Sequence, residues 1–148
     1  MRIKVISLML GLWCFSGGDL AVAFAQKQPI FQGLPFVTNY EALSYQAGIQ
    51  NFDIIQDELG RIFVANNLGL LEFDGKTWSR YGLNNTKVRS AFLGADRRIY
   101  VGSQADFGYL ESNASGQLIY TSLADSLPEN LKDFDETWRV FGSGEQVY

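Results

Sequence analysis

The 148-residue sequence has no histidine, one cysteine and three prolines. The absence of histidine excludes Ser-His-Asp and Cys-His nucleophile systems, histidine-containing zinc sites and an imidazole pH switch. The formal net charge is -4, and nucleic acid is therefore not an expected partner, because phosphate binding needs a basic surface. The composition, with 47% hydrophobic and 14% aromatic residues, is typical of a folded globular chain.

The first 25 residues have the pattern of a secretory signal peptide. Arg2 and Lys4 precede an apolar run from Val5 to Phe15, and Ala23-Phe24-Ala25 fits the small-x-small rule for cleavage. The run is shorter than the roughly 20 residues that span a membrane. A cleaved signal is predicted, with a retained membrane anchor as the alternative. Cys14 lies inside this run, so the exported chain would contain no cysteine.

The rest of the chain contains a repeated pattern. Residues 54–64 and 91–101 both have an apolar pair, a polar turn, an arginine and then Ile-aromatic-Val, and the second copy begins 37 residues after the first. A third copy begins at Arg139, where Val140 is aligned with Phe92 and Val147 with Ile99. This self-similarity predicts three copies of one structural unit, the last of them incomplete.

Two further features extend the alignment of the first two copies. Gly69 is aligned with Gly108, which predicts two extra residues in the loop before Gly108. Asp74-Gly75 predicts a type I′ hairpin, in which both central residues have positive φ. Residues 113–116 predict the corresponding hairpin in the second copy.

Each unit is interpreted as four short strands. In the first unit they are predicted at 52–56, 61–65, 70–73 and 77–81, where β-branched and aromatic residues alternate with polar ones. A short helical turn is predicted within 122–133. Four-stranded units that repeat at about 40 residues are typical of β-propellers. The predicted fold class is therefore all-β, built from propeller blades that are four-stranded antiparallel repeats.

The predicted organisation follows from the repeat. It comprises a signal peptide at 1–25, a segment leading into the repeat at 26–50, blade 1 at 51–83, blade 2 at 84–123, and a linker with the start of a truncated third blade at 124–148. Two blades and part of a third cannot close a ring of typically about 4 to 8 blades. The propeller is expected to be incomplete, and the chain is expected to be the beginning of a longer protein.

The ordered set of motifs resembles the two-component regulator propeller family. The motifs are residues 48–57, 60–66, 69–75 with Trp78 in the first unit, and 88–90, 98–102 and 106–110 in the second. The resemblance implies the N-terminal part of a periplasmic ligand sensor. In that family, propellers are commonly followed by a triple-tyrosine immunoglobulin-like domain, a membrane helix and a histidine kinase or DNA-binding output.

The resemblance also implies the partners and location of the protein. The expected partners are a small-molecule or oligosaccharide ligand and the downstream blades and signalling domains, with a homodimer allowed for the full-length protein. The full-length protein would be anchored in the inner membrane. No phosphoacceptor histidine occurs in these residues, so any kinase activity would belong to other parts of the protein.

Candidate binding residues were sought in the second unit, because loops on a rigid propeller concentrate binding groups. Phe107 and Tyr109 are predicted to follow the lengthened loop. The candidate ligand-binding residues are Arg89, Gln104, Asp106, Phe107 and Tyr109. No catalytic constellation, metal site or cofactor is predicted.

Trp78 and Trp138 have two interpretations. An aromatic ring offers a flat apolar face on which a sugar can stack. Packing of Trp78 in an outer strand, between blades, is the favoured interpretation. The leading functional hypothesis is a ligand-sensing propeller; the alternatives are a secreted propeller enzyme acting on polysaccharide and a passive adhesion module.

Overall fold

The computed structural model describes Gly33 and residues 35–84 and 87–148. The chain divides into two units, Met1–Val37 and Thr38–Tyr148, and every element described below belongs to the second. The predicted signal peptide and positions 26–32 lie outside the described residues. Within the described ranges, no helix combines the length and the apolar character that crossing a membrane requires.

The first four-stranded sheet, sheet 1, follows a short helix, α1 (Ala42–Tyr45). Its strands are β1 (Asn51–Gln56), β2 (Ile62–Asn66), β3 (Gly69–Phe73) and β4 (Trp78–Tyr81), antiparallel and in chain order. Each begins and ends within one residue of its predicted bounds, because alternating apolar residues and turn residues are local signals.

The second four-stranded sheet, sheet 2, repeats this arrangement. Its strands are β5 (Val88–Leu93), β6 (Ile99–Ser103), β7 (Asp106–Ser112) and β8 (Leu118–Ser122), again antiparallel and in chain order. Two 3-10 turns follow, Ala124–Ser126 and Glu129–Leu131, which confirms the predicted helical turn. A short hairpin comes last, formed by β9 (Gly142–Ser143) and β10 (Gln146–Val147). The all-β class and the four-stranded antiparallel units are confirmed.

The main core lies between the two sheets. The side chains that form it come from one face of each sheet: Phe63, Ala65 and Leu70 from sheet 1, and Val88, Ala91, Ile99, Val101, Leu110 and Leu118 from sheet 2. The opposite face of sheet 1 packs Val64 and Leu71 against Tyr45 of α1. Sheet 1 therefore packs on both of its faces.

The first strands of successive units lie side by side. One carboxylate oxygen of Asp53 in β1 accepts hydrogen bonds from Ser90 Oγ at 3.1 Å and from the Ala91 amide at 3.2 Å in β5. Ser90 Oγ in turn accepts from the Val140 amide at 3.0 Å. These hydrogen bonds fix the lengthwise position of the first strand of one unit relative to the first strand of the next.

The two extra residues predicted before Gly108 are absent. In both sheets the second and third strands are joined by a two-residue loop, with Asn66 opposite Gly69 and Ser103 opposite Asp106. The structural equivalent of Gly69 is therefore Asp106, and the predicted loop insertion before Gly108 is wrong. The second unit is longer instead in its β7–β8 hairpin, where Leu110 pairs with Tyr120, 10 positions further on, whereas Phe73 pairs with Trp78, 5 positions further on.

The register of the third copy also differs by one residue. Gly142 pairs with Val147 as Leu93 pairs with Ile99, which confirms the equivalence of Val147 and Ile99. The residue equivalent to Phe92 is then Phe141, so its predicted alignment with Val140 is wrong. The reason is that the β9–β10 turn is one residue shorter than the β5–β6 turn, which moves the first strand relative to the second.

The hairpin at Asp74-Gly75 is present, but its predicted type I′ turn is wrong. Of the residues in this turn, Gly75 alone has positive φ, at 95°. Asp74 instead organises the turn through its carboxylate, which accepts from the amides of Lys76 and Thr77 and from Thr77 Oγ1. These bonds lower the pKa of Asp74 to about 2, with the Thr77 amide as the largest cause.

Candidate functional site

Arg89 lies between two aromatic rings and binds a carboxylate. Its Nε and Nη2 atoms donate to the two carboxylate oxygens of Glu136, at 3.1 and 2.9 Å. Its Cζ atom lies 4.4 Å from the ring centroids of both Phe52 and Trp138. A guanidinium that binds a carboxylate through two hydrogen bonds and stacks on two rings is held in one orientation. The charge and both faces of Arg89 are therefore already engaged by groups of the protein.

The three stacked side chains occupy equivalent positions in the three units. Phe52 and Arg89 are related by the 37-residue repeat, and the shifted third register places Trp138 at the same position. We call Phe52, Arg89, Trp138 and Glu136 the Arg89 stack. The stack lies at the beginning of the first strands, and two thirds of the Trp138 surface is exposed to solvent.

Gln104 and Lys87 are close to the same carboxylate. Lys87 Nζ lies 3.3 Å from Glu136 Oε1. The side chain of Gln104 is exposed. The backbone N–H of Gln104 donates to the Lys87 carbonyl, and the backbone of Gln104 forms an isolated β-bridge with that of Glu136. Hydrogen bonds from Arg89, and then from Lys87, lower the pKa of Glu136 below its ordinary value of 4.5. Glu136 is therefore an ionised centre shared by both cations at neutral pH.

Asp106 lies in a different environment, on the face of sheet 2 that is turned toward sheet 1. Its side chain is buried and accepts hydrogen bonds from Tyr120 Oη at 2.9 Å, Ser122 Oγ at 2.6 Å and Asn84 Nδ2 at 3.3 Å. Burial raises the pKa of Tyr120, and the Asp106 carboxylate raises it further. With three donors satisfied, this carboxylate links β7 to β8 and to the end of sheet 1.

Phe107 and Tyr109 lie within strand β7, not on a lengthened loop. Phe107 contacts the ring of Phe134 at 5.9 Å and lines an apolar cavity of about 440 Å³ between sheet 2 and the β9–β10 hairpin. Tyr109 contacts Tyr100 at 5.9 Å and has the Arg98 guanidinium 4.4 Å from its centroid. Both rings belong to the sheet face that is turned away from sheet 1.

The five predicted candidates are thus divided among three places. Arg89 and Gln104 meet around Glu136, Asp106 is buried on one face of β7, and Phe107 and Tyr109 lie on the other. Sequence reasoning missed Glu136, and it gave Trp138 no place beside Arg89. The available signal was the corrected repeat register, which aligns Trp138 with Phe52 and Arg89.

Trp78 packs within an aromatic cluster. Its ring stacks on Phe73 with centroids 4.8 Å apart, and it contacts Tyr40 and Tyr45 at 5.5 Å each. Trp78 therefore packs in an outer strand as predicted, but against α1 and Tyr40 and not between the two described sheets. Its Nε1 atom is buried and has no acceptor among the described residues.

The chemistry available in the described part of the chain is recognition through charge and aromatic rings. Among those residues, no group of three metal-ligating side chains is gathered at one place. Comparison with known proteins assigns no family: no protein-family model matches the chain, and no curated protein matches it. Function is therefore argued from the fold and the site.

Proposed function

We propose that the chain is the N-terminal part of an exported β-propeller that senses a small ligand in a bacterial two-component or one-component signalling protein. The observation that carries the proposal is the succession of units. Two four-stranded sheets have the same strand order and stack face to face. A hairpin of two further strands follows, and the amide of Val140, which precedes it, donates to Ser90 Oγ of the second unit. Radial repetition of such sheets is how propellers are built.

Ligand binding is the proposed role because the beginning of the first strands holds rigid and exposed groups together. Arg89 and Glu136 fix each other, and this pair fixes one face of Trp138 while much of that ring meets solvent. An aromatic face that is already ordered loses little conformational entropy when a ring-shaped ligand binds. An oligosaccharide fits this chemistry, since sugar rings stack on aromatic faces and carry hydroxyl groups for the neighbouring Lys87 and Gln104.

Ligand binding is tested by thermal unfolding of the full chain in the presence of a panel of neutral and acidic oligosaccharides. A ligand that binds the folded state at about 100 times its Kd stabilises it by roughly 2.7 kcal/mol, so the unfolding midpoint should rise. Trp138→Ala should abolish that rise, whereas Tyr148→Ala, at another exposed aromatic position, should leave it unchanged. A panel without any effect on a cooperative transition would contradict ligand sensing.

Export is tested separately. Alkaline phosphatase fused after residue 148 should be active in the periplasm, and the N-terminus of the exported fusion should be Gln26. A fusion retained in the cytoplasm would contradict the proposed location without affecting the binding result.

A further inference from the structure

Strand β4 and helix α1 enclose a cleft of about 430 Å³ on the face of sheet 1 that is turned away from sheet 2. We call it the Lys76 cleft. It is lined by Ser44, Tyr45, Gln46, Lys76, Thr77, Trp78 and Arg80. We propose that the Lys76 cleft is an anion-binding site that takes the carboxylate or sulfate group of an acidic saccharide.

The charged groups of the cleft are all cations. Lys76 and Arg80 are exposed, and neither forms an ion pair with any described residue. Arg80 makes one long contact, from Nη1 to the Leu68 carbonyl at 3.5 Å. The cleft is therefore positively charged, although the formal net charge of the chain is -4. The position of these two cations favours a negatively charged ligand.

The ring of Trp78 forms a fixed wall of the cleft. It is held by Phe73, Tyr40 and Tyr45, so its orientation is set before a ligand arrives. Lysine and arginine side chains can donate but cannot accept hydrogen bonds. The two donors of Lys76 and Arg80 select an acceptor group, and their positive charges select an oxyanion.

Two hydroxyl groups, those of Ser44 and Thr77, also line the cleft. Ser44 Oγ donates to the Glu41 carbonyl, and Thr77 Oγ1 donates to Asp74. Since both hydroxyl protons are already used, the two oxygens are available as acceptors. Acceptors next to an oxyanion site suit a molecule that carries hydroxyl groups beside its acid group. That this molecule is a saccharide rests on the proposed sensing function, whereas the oxyanion site rests on the cleft alone.

A comparison of β4 with β8 supports an open cleft. Arg80 of β4 occupies the position of Ser122 in β8. Ser122 is half-buried on the face of sheet 2 that is turned toward sheet 1, whereas Arg80 is exposed on the equivalent face of sheet 1. Burying this cation without a partner under another sheet would be costly.

The test is calorimetric titration of the full chain with trigalacturonate, with a neutral galactose trisaccharide and with inorganic sulfate. Trigalacturonate should bind more tightly than the neutral sugar, and less tightly as NaCl rises from about 0.05 to about 0.5 M. The double variant Lys76→Gln, Arg80→Gln should weaken binding at least about tenfold. The control double variant Arg97→Gln, Lys132→Gln removes two exposed cations that do not line the cleft, and it should bind as the wild type does.

A second readout does not depend on affinity. In a ¹⁵N spectrum, the indole N–H signal of Trp78, assigned through its loss in Trp78→Phe, should shift on addition of trigalacturonate, while that of Trp138 should not. Equal binding by the cleft variant and the control, or a Trp78 signal that does not move, would overturn the site. Binding of sulfate without binding of trigalacturonate would overturn the saccharide assignment. Loss of the sensing function in Trp138→Ala would leave this titration unchanged.

Discussion

Sheet 1 and sheet 2 carry equivalent faces that are covered by different elements. The face of sheet 2 that contains Leu118 and Tyr120 packs on sheet 1, whereas the same face of sheet 1 meets α1 and opens into the Lys76 cleft. The outer strands differ accordingly: Ser122 of β8 is half-buried where a sheet is the neighbour, and its equivalent Arg80 of β4 is exposed to solvent. One repeated backbone therefore packs against a sheet in one copy and borders an open cleft in the other.

The opposite faces of the two sheets give the complementary comparison. Leu70 of sheet 1 is fully buried against sheet 2, while its structural equivalent Phe107 remains half-buried beside the apolar cavity. Phe63 of sheet 1 is likewise fully buried, while its structural equivalent Tyr100 in sheet 2 is half-buried. The burial of a position therefore depends on its neighbouring unit more than on its residue type.

The largest predicted effect tests this difference in burial. Leu70→Ala should lower the free energy of unfolding by about 3 kcal/mol, because it removes apolar contacts and leaves a cavity between the sheets. Phe107→Ala should cost less than half as much, although phenylalanine is larger, since its ring is only half-buried. Urea unfolding of both variants measures the two values. Equal losses would show that the two faces are equally covered.

The next prediction concerns the Arg89 stack, which joins all three units. Because the pKa of Glu136 is lowered in the folded state, its ionised form stabilises the fold above the ordinary glutamate pKa. That stabilisation is lost as the pH falls through the lower folded-state pKa. Glu136→Gln should therefore destabilise the protein at pH 7 and flatten the loss of stability between about pH 5 and pH 3.

A matched control is available at Glu129, which pairs with Lys132 at the surface. Glu129→Gln should change neither the stability at pH 7 nor its pH dependence measurably, because exposed ion pairs contribute little. Indistinguishable pH profiles for the two variants would contradict the role given to Glu136.

The smallest predicted effect compares the outer hairpins, whose lengths differ. Gly75 and Gly116 have φ of 95° and 81°, and neither has a neighbour within 4 Å of an added Cβ. Replacement of either by alanine should cost roughly 1 kcal/mol through backbone strain alone. Gly82 also has open space but no positive φ, so Gly82→Ala should not destabilise the fold. A cost at Gly82 equal to the other two would contradict this explanation.

The local architecture could be predicted from the sequence because strands and turns are local signals. The register of β7 could not, since Gly69 and Gly108 begin similar sequences and the true register depends on Asp106. Asp106 is held there by Tyr120 and Ser122, which lie 14 and 16 residues further along the chain. Only the pairing of β7 with β8 brings these groups together.

The candidate site shows the same limit. Arg89 is a reasonable ligand-binding residue by type, but its charge is neutralised by Glu136, 47 residues away. The sequence predicts that Trp78 packs, and its ring does pack. The cleft that this ring lines together with Lys76 and Arg80 forms only where β4 and α1 come together. Residue type alone was enough to single out Arg89 and Trp78. It was not enough to predict the groups that each of them contacts.

The central claim is that successive units are joined through equivalent residues of their first strands. Hydrogen exchange of the Ala91 and Val140 amides tests it most directly, since the first donates to Asp53 and the second to Ser90. We predict that both amides are protected, that Asp53→Ala removes the protection of Ala91 alone, and that Ser90→Ala removes that of Val140. Exchange of both amides at unprotected rates in the wild-type protein would contradict the account.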